Sequence, residues 1–166
     1  MRFDGQVWFD FSTPSVWVFY RWVRALAESG YDITLDWMPL PTESERAAMA
    51  TLLSVDEPQD RGRFLHAMLG LVHLEGRSAS DMKTVAEALR AADLDSHVVR
   101  DQHQLLDDLA TRADKLGITA VPTLYRHGPA LSIQLNPAVL SGDVAQTAVT
   151  INDVMESDGI WELKKP

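Results

Sequence analysis

Two hydroxyl side chains stand at the predicted start of the first helix, where their position favours binding of an anion. Thr13 and Ser15 flank Pro14, and proline suits the first helical position because no backbone donor is needed there. The unpaired N–H groups and the positive dipole end of a helix attract negative charge. The turn is therefore a candidate anion site, and the alternative is that Thr13 only caps the helix.

Other chemistries are excluded by composition or by spacing. The chain has no cysteine, which removes disulfides, thiolate metal ligands and cysteine nucleophiles. His66 and His73 are seven residues apart, about 10 Å along a helix, which is too far to bind one metal ion from a straight helix. His97, His103 and His127 have no acidic partner at metal-binding spacing. The sequence therefore predicts no metal site.

The candidate turn lies inside a strand–helix–strand opening. Gln6 to Phe11 alternates as a strand does, with β-branched and aromatic residues dominating. A helix is predicted from Pro14 to about Ser29, with Gly30 as its stop, and a second strand from Tyr31 to Trp37. Because a helix connects the two strands, we expect them to pair in parallel.

The first helix carries a narrow polar stripe formed by Arg21, Arg24 and Glu28, so the rest of its surface is predicted to be buried. The two arginines either reach an acidic ligand or pair with Glu28. Trp17 follows the turn directly and is the aromatic candidate for ligand contact. Three further tryptophans are predicted to lie in the core: Trp8, Trp22 and Trp37.

The middle of the chain is predicted to be helical, and its end returns to strands. Four segments with helical periodicity and no strand between them are Thr42–Leu53, Pro58–Glu75, Ala79–Ala92 and Asp101–Leu116. An antiparallel hairpin and an amphipathic helix follow, at Pro122–Arg126, Ala130–Leu135 and Asp143–Glu156. The predicted order is therefore β-α-β, helices, β-β-α.

Composition and charge bound the class of protein. The chain has 166 residues, of which 46% are hydrophobic, and this predicts one globular domain over residues 1–166. A net charge of −9 argues against a nucleic acid partner. The apolar run from Val16 to Tyr20 is far shorter than the roughly 20 residues that a membrane span needs. Met1 to Phe11 lacks a cationic region followed by an apolar one, so no secretory signal is predicted.

Two segments at defined places in this order resemble the thioredoxin fold. The turn at Thr13–Val16 stands where that fold carries its Cys-x-x-Cys motif, and Gly117–Thr123 is similar to the cis-proline loop that faces the motif. The resemblance implies a cis peptide bond before Pro122. The helical middle, approximately residues 42–100, is similar to the insertion of the DsbA branch. The implied fold class is α/β: a thioredoxin-like fold with a helical insertion between βαβ and ββα.

Further motifs, in their order along most of the chain, narrow the resemblance. They are Trp8-Phe9-Asp10, Pro14, Trp17, Arg21-Trp22-Val23, Ala67-Met68-Leu69-Gly70, His73, Gly76-Arg77, Val85-Ala86-Glu87-Ala88-Leu89, Gly128-Pro129 and Gly159-Ile160-Trp161-Glu162-Leu163-Lys164. Together they are similar to the actinobacterial DsbA-like proteins of the mycothiol-dependent nitroreductase family and to FrnE-like proteins. This resemblance implies a cytoplasmic protein whose small thiol is mycothiol.

The chain departs from that family at the two positions that carry its redox chemistry. Thr13 and Val16 replace the attacking and resolving cysteines, and neither side chain can form a mixed disulfide. Kappa-class glutathione transferases and 2-hydroxychromene-2-carboxylate isomerases resemble this arrangement, with a serine at the Thr13 position and a bound thiol that supplies the sulfur. By that resemblance Thr13 and Ser15 are catalytic hydroxyls. The implied ligand-binding residues are Ser12, Pro14, Val16, Trp17, Val121 and Pro122.

Two functions remain open on the sequence. In the first, the protein has no resident cofactor and binds mycothiol or glutathione as the cosubstrate of a transferase- or isomerase-type reaction. In the second, it is a non-catalytic interaction protein, or binds a hydrophobic ligand, on a degenerate oxidoreductase scaffold. An open site between Thr13 and Pro122 favours the first function. A site filled by the Trp17 side chain favours the second. A homodimer is compatible with either, and neither involves a membrane.

Overall fold

The computed structural model describes residues 1–157 and the backbone of residues 162–164, so the first half of the Gly159–Lys164 motif lies outside the described residues. The chain divides into two units. The sheet unit comprises Met1–Phe9, Thr13–Met38 and the chain from Ala113 onward, and the helical unit comprises Asp10–Ser12 and Pro39–Arg112. Both segments that carry the candidate site, around Thr13 and around Pro122, belong to the sheet unit.

The observed elements follow the predicted order of strands and helices. They are β1 (Arg2–Phe9), α1 (Pro14–Glu28), β2 (Asp32–Pro39), α2 (Arg46–Ser54), α3 (Pro58–His73), α4 (Met82–Ala91), α5 (His103–Lys115), β3 (Thr123–Tyr125), β4 (Ala130–Gln134), α6 (Val144–Glu156) and β5 (Glu162–Lys164). In the described residues, no helix is both long enough and apolar enough to cross a membrane.

The sheet places β3, which follows the proline loop, beside β1, which leads towards the turn. The strand order is β2-β1-β3-β4-β5. β1 and β3 pair antiparallel with Val7 opposite Leu124 and Trp8 opposite Thr123. The predicted hairpin of β3 and β4 is confirmed as antiparallel, whereas β5, which pairs parallel with β4, was not predicted as a strand.

One face of α1 supplies much of the hydrophobic core of the sheet unit. The exposed positions Arg21, Arg24 and Glu28 form the predicted polar stripe. The buried face of the helix packs into a cluster with residues of the sheet and of α6: Phe3, Val7, Phe19, Trp22, Val23, Leu26, Leu124, Leu131, Ile133, Ala148, Ile151 and Met155. Burial of this amphipathic face fixes the orientation of α1 on the sheet, and so the direction in which its first turn points.

The helical unit contains α2, α3, α4 and most of α5, and its core is apolar. Its fully buried side chains include Met49, Leu52, Phe64, Met68 and Leu69. Helix α3 packs on α4, and α2 packs on both of them. Apolar residues at helical spacing therefore form a core within this unit, as the sequence predicted for the middle of the chain.

The predicted boundaries of two elements, the first strand and the helix after Thr42, were wrong. The first strand begins at Arg2 instead of Gln6 and ends before Phe11. Its early part carries Gly5 at a φ of +132°, where a side chain would lie 2.9 Å from the Tyr125 carbonyl oxygen. This glycine interrupts the alternation that identifies strands in a sequence. The helix predicted from Thr42 starts as a short 3-10 turn at Glu43–Glu45 and becomes α-helical only at Arg46.

Candidate functional site

The first turn of α1 has the helix start that the sequence predicts, but not the predicted side-chain cap. Thr13 is the N-cap residue, Pro14 follows it at the first helical position, and the Val16 N–H donates to the Thr13 carbonyl oxygen at 3.0 Å. The Thr13 side chain makes no capping hydrogen bond to the helix backbone. Thr13 therefore occupies the N-cap position of α1 without a side-chain cap, and the interpretation that its hydroxyl only caps the helix is wrong.

The proline loop is held by backbone and side-chain hydrogen bonds on both sides of Pro122. The Val121–Pro122 peptide bond, which the resemblance predicts to be cis, is cis. The Ile133 N–H of β4 donates to the Pro122 carbonyl oxygen at 2.9 Å. The Thr123 hydroxyl donates to the Ala120 carbonyl oxygen at 2.6 Å. These contacts define the backbone of the loop in the absence of any ligand.

Ser15 joins the helix to this loop. Its hydroxyl donates to the Val121 carbonyl oxygen at 3.3 Å, across 106 residues of sequence. A serine has one O–H donor, so a thiolate would compete with Val121 for the Ser15 proton. Of the two hydroxyls predicted to be catalytic, Ser15 thus has a structural partner at the loop, and the Thr13 side chain makes no capping hydrogen bond to the helix backbone.

The other predicted ligand-binding residues differ in what they present to solvent. Val16, at the position of the second cysteine in the family it resembles, is fully buried, so its side chain packs beneath the turn and offers no surface to a ligand. Pro14 is exposed and Trp17 is half-buried, whereas Pro122 is buried. Ser12 is exposed and belongs to the 10–12 segment of the helical unit.

Trp17 belongs to a row of stacked side chains on α1. Its ring lies nearly parallel to that of Tyr20, with centroids 6.0 Å apart, and the Arg21 guanidinium lies 5.8 Å from the Trp17 ring centroid. Burial raises the pKa of Tyr20, and a hydrogen bond from Arg24 partly offsets this effect. Trp17 is thus fixed by its neighbours on the helix, with part of its ring exposed.

The helical unit contains a buried polar cluster that the sequence did not reveal. Glu45 is 4% exposed, and its Oε2 accepts a hydrogen bond from the Phe11 N–H at 2.7 Å. The Phe11 carbonyl oxygen lies 2.7 Å from His73 Nε2, so this nitrogen must carry the proton. Both polar groups of Phe11, two residues before Thr13 in sequence, are satisfied by side chains of the helical unit.

His73 should make the stability of the protein depend on pH. Burial lowers the pKa of His73 below its ordinary 6.5, although the Phe11 hydrogen bond and the nearby Asp10 and Glu45 partly oppose this effect. The unfolded chain therefore binds a proton at a higher pH than the folded one, and the free energy of unfolding falls as pH drops below about 6.5. Urea unfolding at pH 7.5 and pH 5.5 should show a smaller loss in His73→Gln than in the wild type.

The matched control for this pH effect is His127→Gln, at an exposed position in the hairpin turn. This variant should keep the pH dependence of the wild type. An unchanged pH dependence in His73→Gln would show that other groups titrate on unfolding.

The cavity of about 400 Å³ in the sheet unit lies away from the candidate site. Leu135, Val139, Asp143 and Thr147 are among its lining residues, and neither Thr13 nor Pro122 lines it. Its lining contains one carboxyl group and no cation, which gives it little catalytic chemistry. We therefore place the candidate site at the Thr13 turn, on the basis of its hydrogen bonding, and not at this cavity.

Comparison with known proteins identifies the fold. No family model matches the chain, and no curated protein matches its sequence. Among solved structures, it is similar to ScsC of Proteus mirabilis, with a TM-score of 0.69 and 18% identity over 89% of this chain and 67% of that chain. It is also similar to DsbA of Pseudomonas aeruginosa, with a TM-score of 0.59 and 13% identity over 90% of this chain and 80% of that one.

A third similar structure is DsbL of Salmonella enterica serovar Typhimurium, with a TM-score of 0.57 and 13% identity over 93% of this chain and 89% of that one. Identities this low show the fold alone. The chain has no cysteine with which to build a Cys-x-x-Cys motif. It therefore has the α/β thioredoxin-like fold with a helical insertion that is found in the DsbA, DsbL and ScsC proteins, without redox cysteines.

Proposed function

We propose that the protein binds a small thiol between the first turn of α1 and the cis-proline loop, and uses it as the cosubstrate of a transferase- or isomerase-type reaction. The observation that carries this proposal is the hydrogen bond from Ser15 to the Val121 carbonyl oxygen, which joins the turn to the loop. Thr13 lies two residues before Ser15, at the N-cap position of α1. A hydroxyl at a helix N-terminus can donate a hydrogen bond to a bound anion.

The bound thiol would supply the sulfur that the chain lacks. The positive end of α1 stabilises a thiolate, and a hydrogen bond from Thr13 Oγ1 adds to this effect at about 3.0–3.5 Å. Both interactions favour the charged form of the thiol, so they lower its pKa. A thiolate that is populated at neutral pH is the nucleophile that thiol-dependent transferases and isomerases require.

The physiological thiol is part of this proposal. The sequence motifs resemble those of the mycothiol-dependent nitroreductase family, which favours mycothiol, an actinobacterial source and a cytoplasmic location. The serine-containing transferases and isomerases that the turn resembles use glutathione instead. Both thiols present a cysteinyl sulfur, so both belong in the binding experiment.

The proposal predicts that a small thiol stabilises the folded protein. A ligand at 100 times its dissociation constant adds about 2.7 kcal/mol to the free energy of unfolding, which corresponds to about 5–10 °C in melting temperature for a chain of this size. A thermal-shift titration with mycothiol and with glutathione measures this effect. Their S-methyl derivatives are the control and should give a smaller shift. No shift with either thiol up to 10 mM, a concentration chosen for the assay, would contradict the proposal.

The helical unit favours a second candidate function, protein–protein interaction without catalysis. Three large apolar side chains of this unit are unusually exposed: Leu74 at 71%, Met82 at 57% and Val98 at 78%. Exposed apolar side chains contribute to protein–protein interfaces where they form one contiguous patch. This function requires no thiol, so the same titration separates the two candidates.

A further inference from the structure

One side of α1 carries a cationic strip in an otherwise acidic protein; its two arginines are exposed and its tyrosine is buried. The strip consists of Trp17, Tyr20, Arg21 and Arg24, which are three or four residues apart and so share one side of the helix. Arg21 and Arg24 are exposed. The whole chain carries a net charge of −9, so this strip has the opposite sign to the protein as a whole.

Aromatic contacts fix the positions of the two guanidinium groups. Arg21 lies over the Trp17 ring at 5.8 Å, that ring is stacked on Tyr20 at 6.0 Å, and Arg24 is hydrogen-bonded to Tyr20. A guanidinium has five N–H donors. These contacts therefore leave donors available on both arginines while reducing their freedom to move, which lowers the entropy lost on binding a ligand.

Neither arginine of the strip is neutralised within the described part of the chain. No carboxylate lies within ion-pair distance of Arg21 or Arg24 there, and the ion pair from Arg24 to Glu28 that the sequence left open does not form. Other arginines of the protein do pair with carboxylates: Arg2, Arg46, Arg63, Arg77, Arg100 and Arg126. The strip is thus complementary in charge to an anionic ligand.

We propose that this strip binds a carboxylate of the thiol ligand, so that the substrate class of the site is an anionic peptide thiol such as glutathione and not mycothiol, which has no carboxylate. The inference rests on the proposed function. Arg21 follows Thr13 by eight residues, but its guanidinium lies over the ring of Trp17, which is only four residues, about 6 Å along the helix axis, from Thr13. A tripeptide extends to about 10 Å, so a thiol of that length can place its sulfur near Thr13 and a carboxylate near the Arg21 guanidinium. The planar guanidinium suits a carboxylate through paired N–H donors.

Isothermal titration calorimetry with three probes tests this inference: glutathione, its diethyl ester and S-methylglutathione. Two exposed charge contacts of ordinary strength, about 0.5 kcal/mol each, correspond to a fivefold change in affinity. We expect glutathione to bind about fivefold more tightly than its diethyl ester. The Arg21→Gln/Arg24→Gln variant should abolish this preference. Its affinity for glutathione and for S-methylglutathione should fall about fivefold, and its affinity for the ester should be unchanged.

The matched control is Arg90→Gln, an exposed arginine in the last turn of α4, which should retain the wild-type affinities. Equal affinity of the wild type for glutathione and its ester would overturn the inference about the strip and leave thiol binding intact. The proposal that Thr13 binds the thiolate is tested independently of the strip. It would be overturned if Thr13→Val lowered the affinity for glutathione and for S-methylglutathione by the same factor. Absence of binding by all three probes would overturn both.

Discussion

The Thr13→Cys/Val16→Cys double variant is expected to form an intramolecular disulfide and to gain oxidoreductase activity. The two positions have Cys-x-x-Cys spacing at the start of α1, with Pro14 already at the first helical position. A thiol at position 13 would lie at the positive end of the helix, where its pKa falls below the usual value of about 8.5. The wild type has no sulfhydryl group, so it should show no turnover, and the expected gain is large.

Mass spectrometry of the folded double variant reports the disulfide, and reduction of insulin by dithiothreitol reports turnover. Each single variant is a control that should give no intramolecular disulfide. Thr13→Ser/Val16→Ala should stay inactive because it alters the same positions without adding sulfur. A double variant that folds, remains reduced under oxidising conditions and stays inert would show that the surroundings of the turn no longer support redox chemistry.

Glu45→Ala is expected to destabilise the protein by about 1–3 kcal/mol, because it leaves the Phe11 N–H buried without an acceptor. For a chain of this length, the loss corresponds to about 3–9 °C in melting temperature. Glu45 is 4% exposed and accepts this hydrogen bond at 2.7 Å. Differential scanning calorimetry at pH 7.5 measures the change.

Two further variants identify the cause of that destabilisation. Glu45→Gln retains an oxygen acceptor and should cost less than Glu45→Ala. Glu43→Ala removes an exposed carboxyl group two residues earlier and should change the melting temperature by less than about 2 °C, since surface substitutions typically stay within 0.5 kcal/mol. Equal losses in Glu45→Ala and Glu45→Gln would show that the carboxyl charge, rather than the acceptor, stabilises the protein.

Local sequence signals predicted the elements that carry the candidate site. Pro14 and Gly30 bracket α1, and the structure places the helix at Pro14–Glu28. The alternation of apolar residues around Val7 predicted a strand with one buried face, and Gly128 predicted the turn of the hairpin. These signals work because helix starts, helix stops and tight turns depend on the backbone preferences of single residues.

Contacts between distant segments were not predictable in this way. The Ser15–Val121 hydrogen bond spans 106 residues, and the Phe11–Glu45 hydrogen bond spans 34. Glu45 looked like one of several acidic residues at a helix start, and nothing in its neighbourhood marks it as buried. Long-range partners such as these are set by how α1 and the 3-10 turn at Glu43–Glu45 pack, which single-residue preferences do not specify.

The resemblance to known motifs predicted a feature of the loop that the physical chemistry of the turn does not predict. It implied a cis peptide bond before Pro122, in a loop that faces the turn at Thr13; the bond is cis, and Ser15 is hydrogen-bonded to the loop. Capping preferences predicted a side-chain cap from Thr13, which the structure lacks. The preference of threonine for the N-cap position is an average over many helices and does not determine the rotamer in one of them.

The central claim is that the Thr13 hydroxyl and the helix terminus stabilise the thiolate of a bound ligand, and the pKa of that ligand tests it most directly. The absorbance of the thiolate near 240 nm, followed against pH with saturating glutathione, reports this pKa. We expect it to lie below the value of about 8.5 for a free thiol in the wild type, and to rise towards that value in Thr13→Val. A bound thiol whose pKa is not lowered, or is lowered equally in Thr13→Val, would contradict the claim.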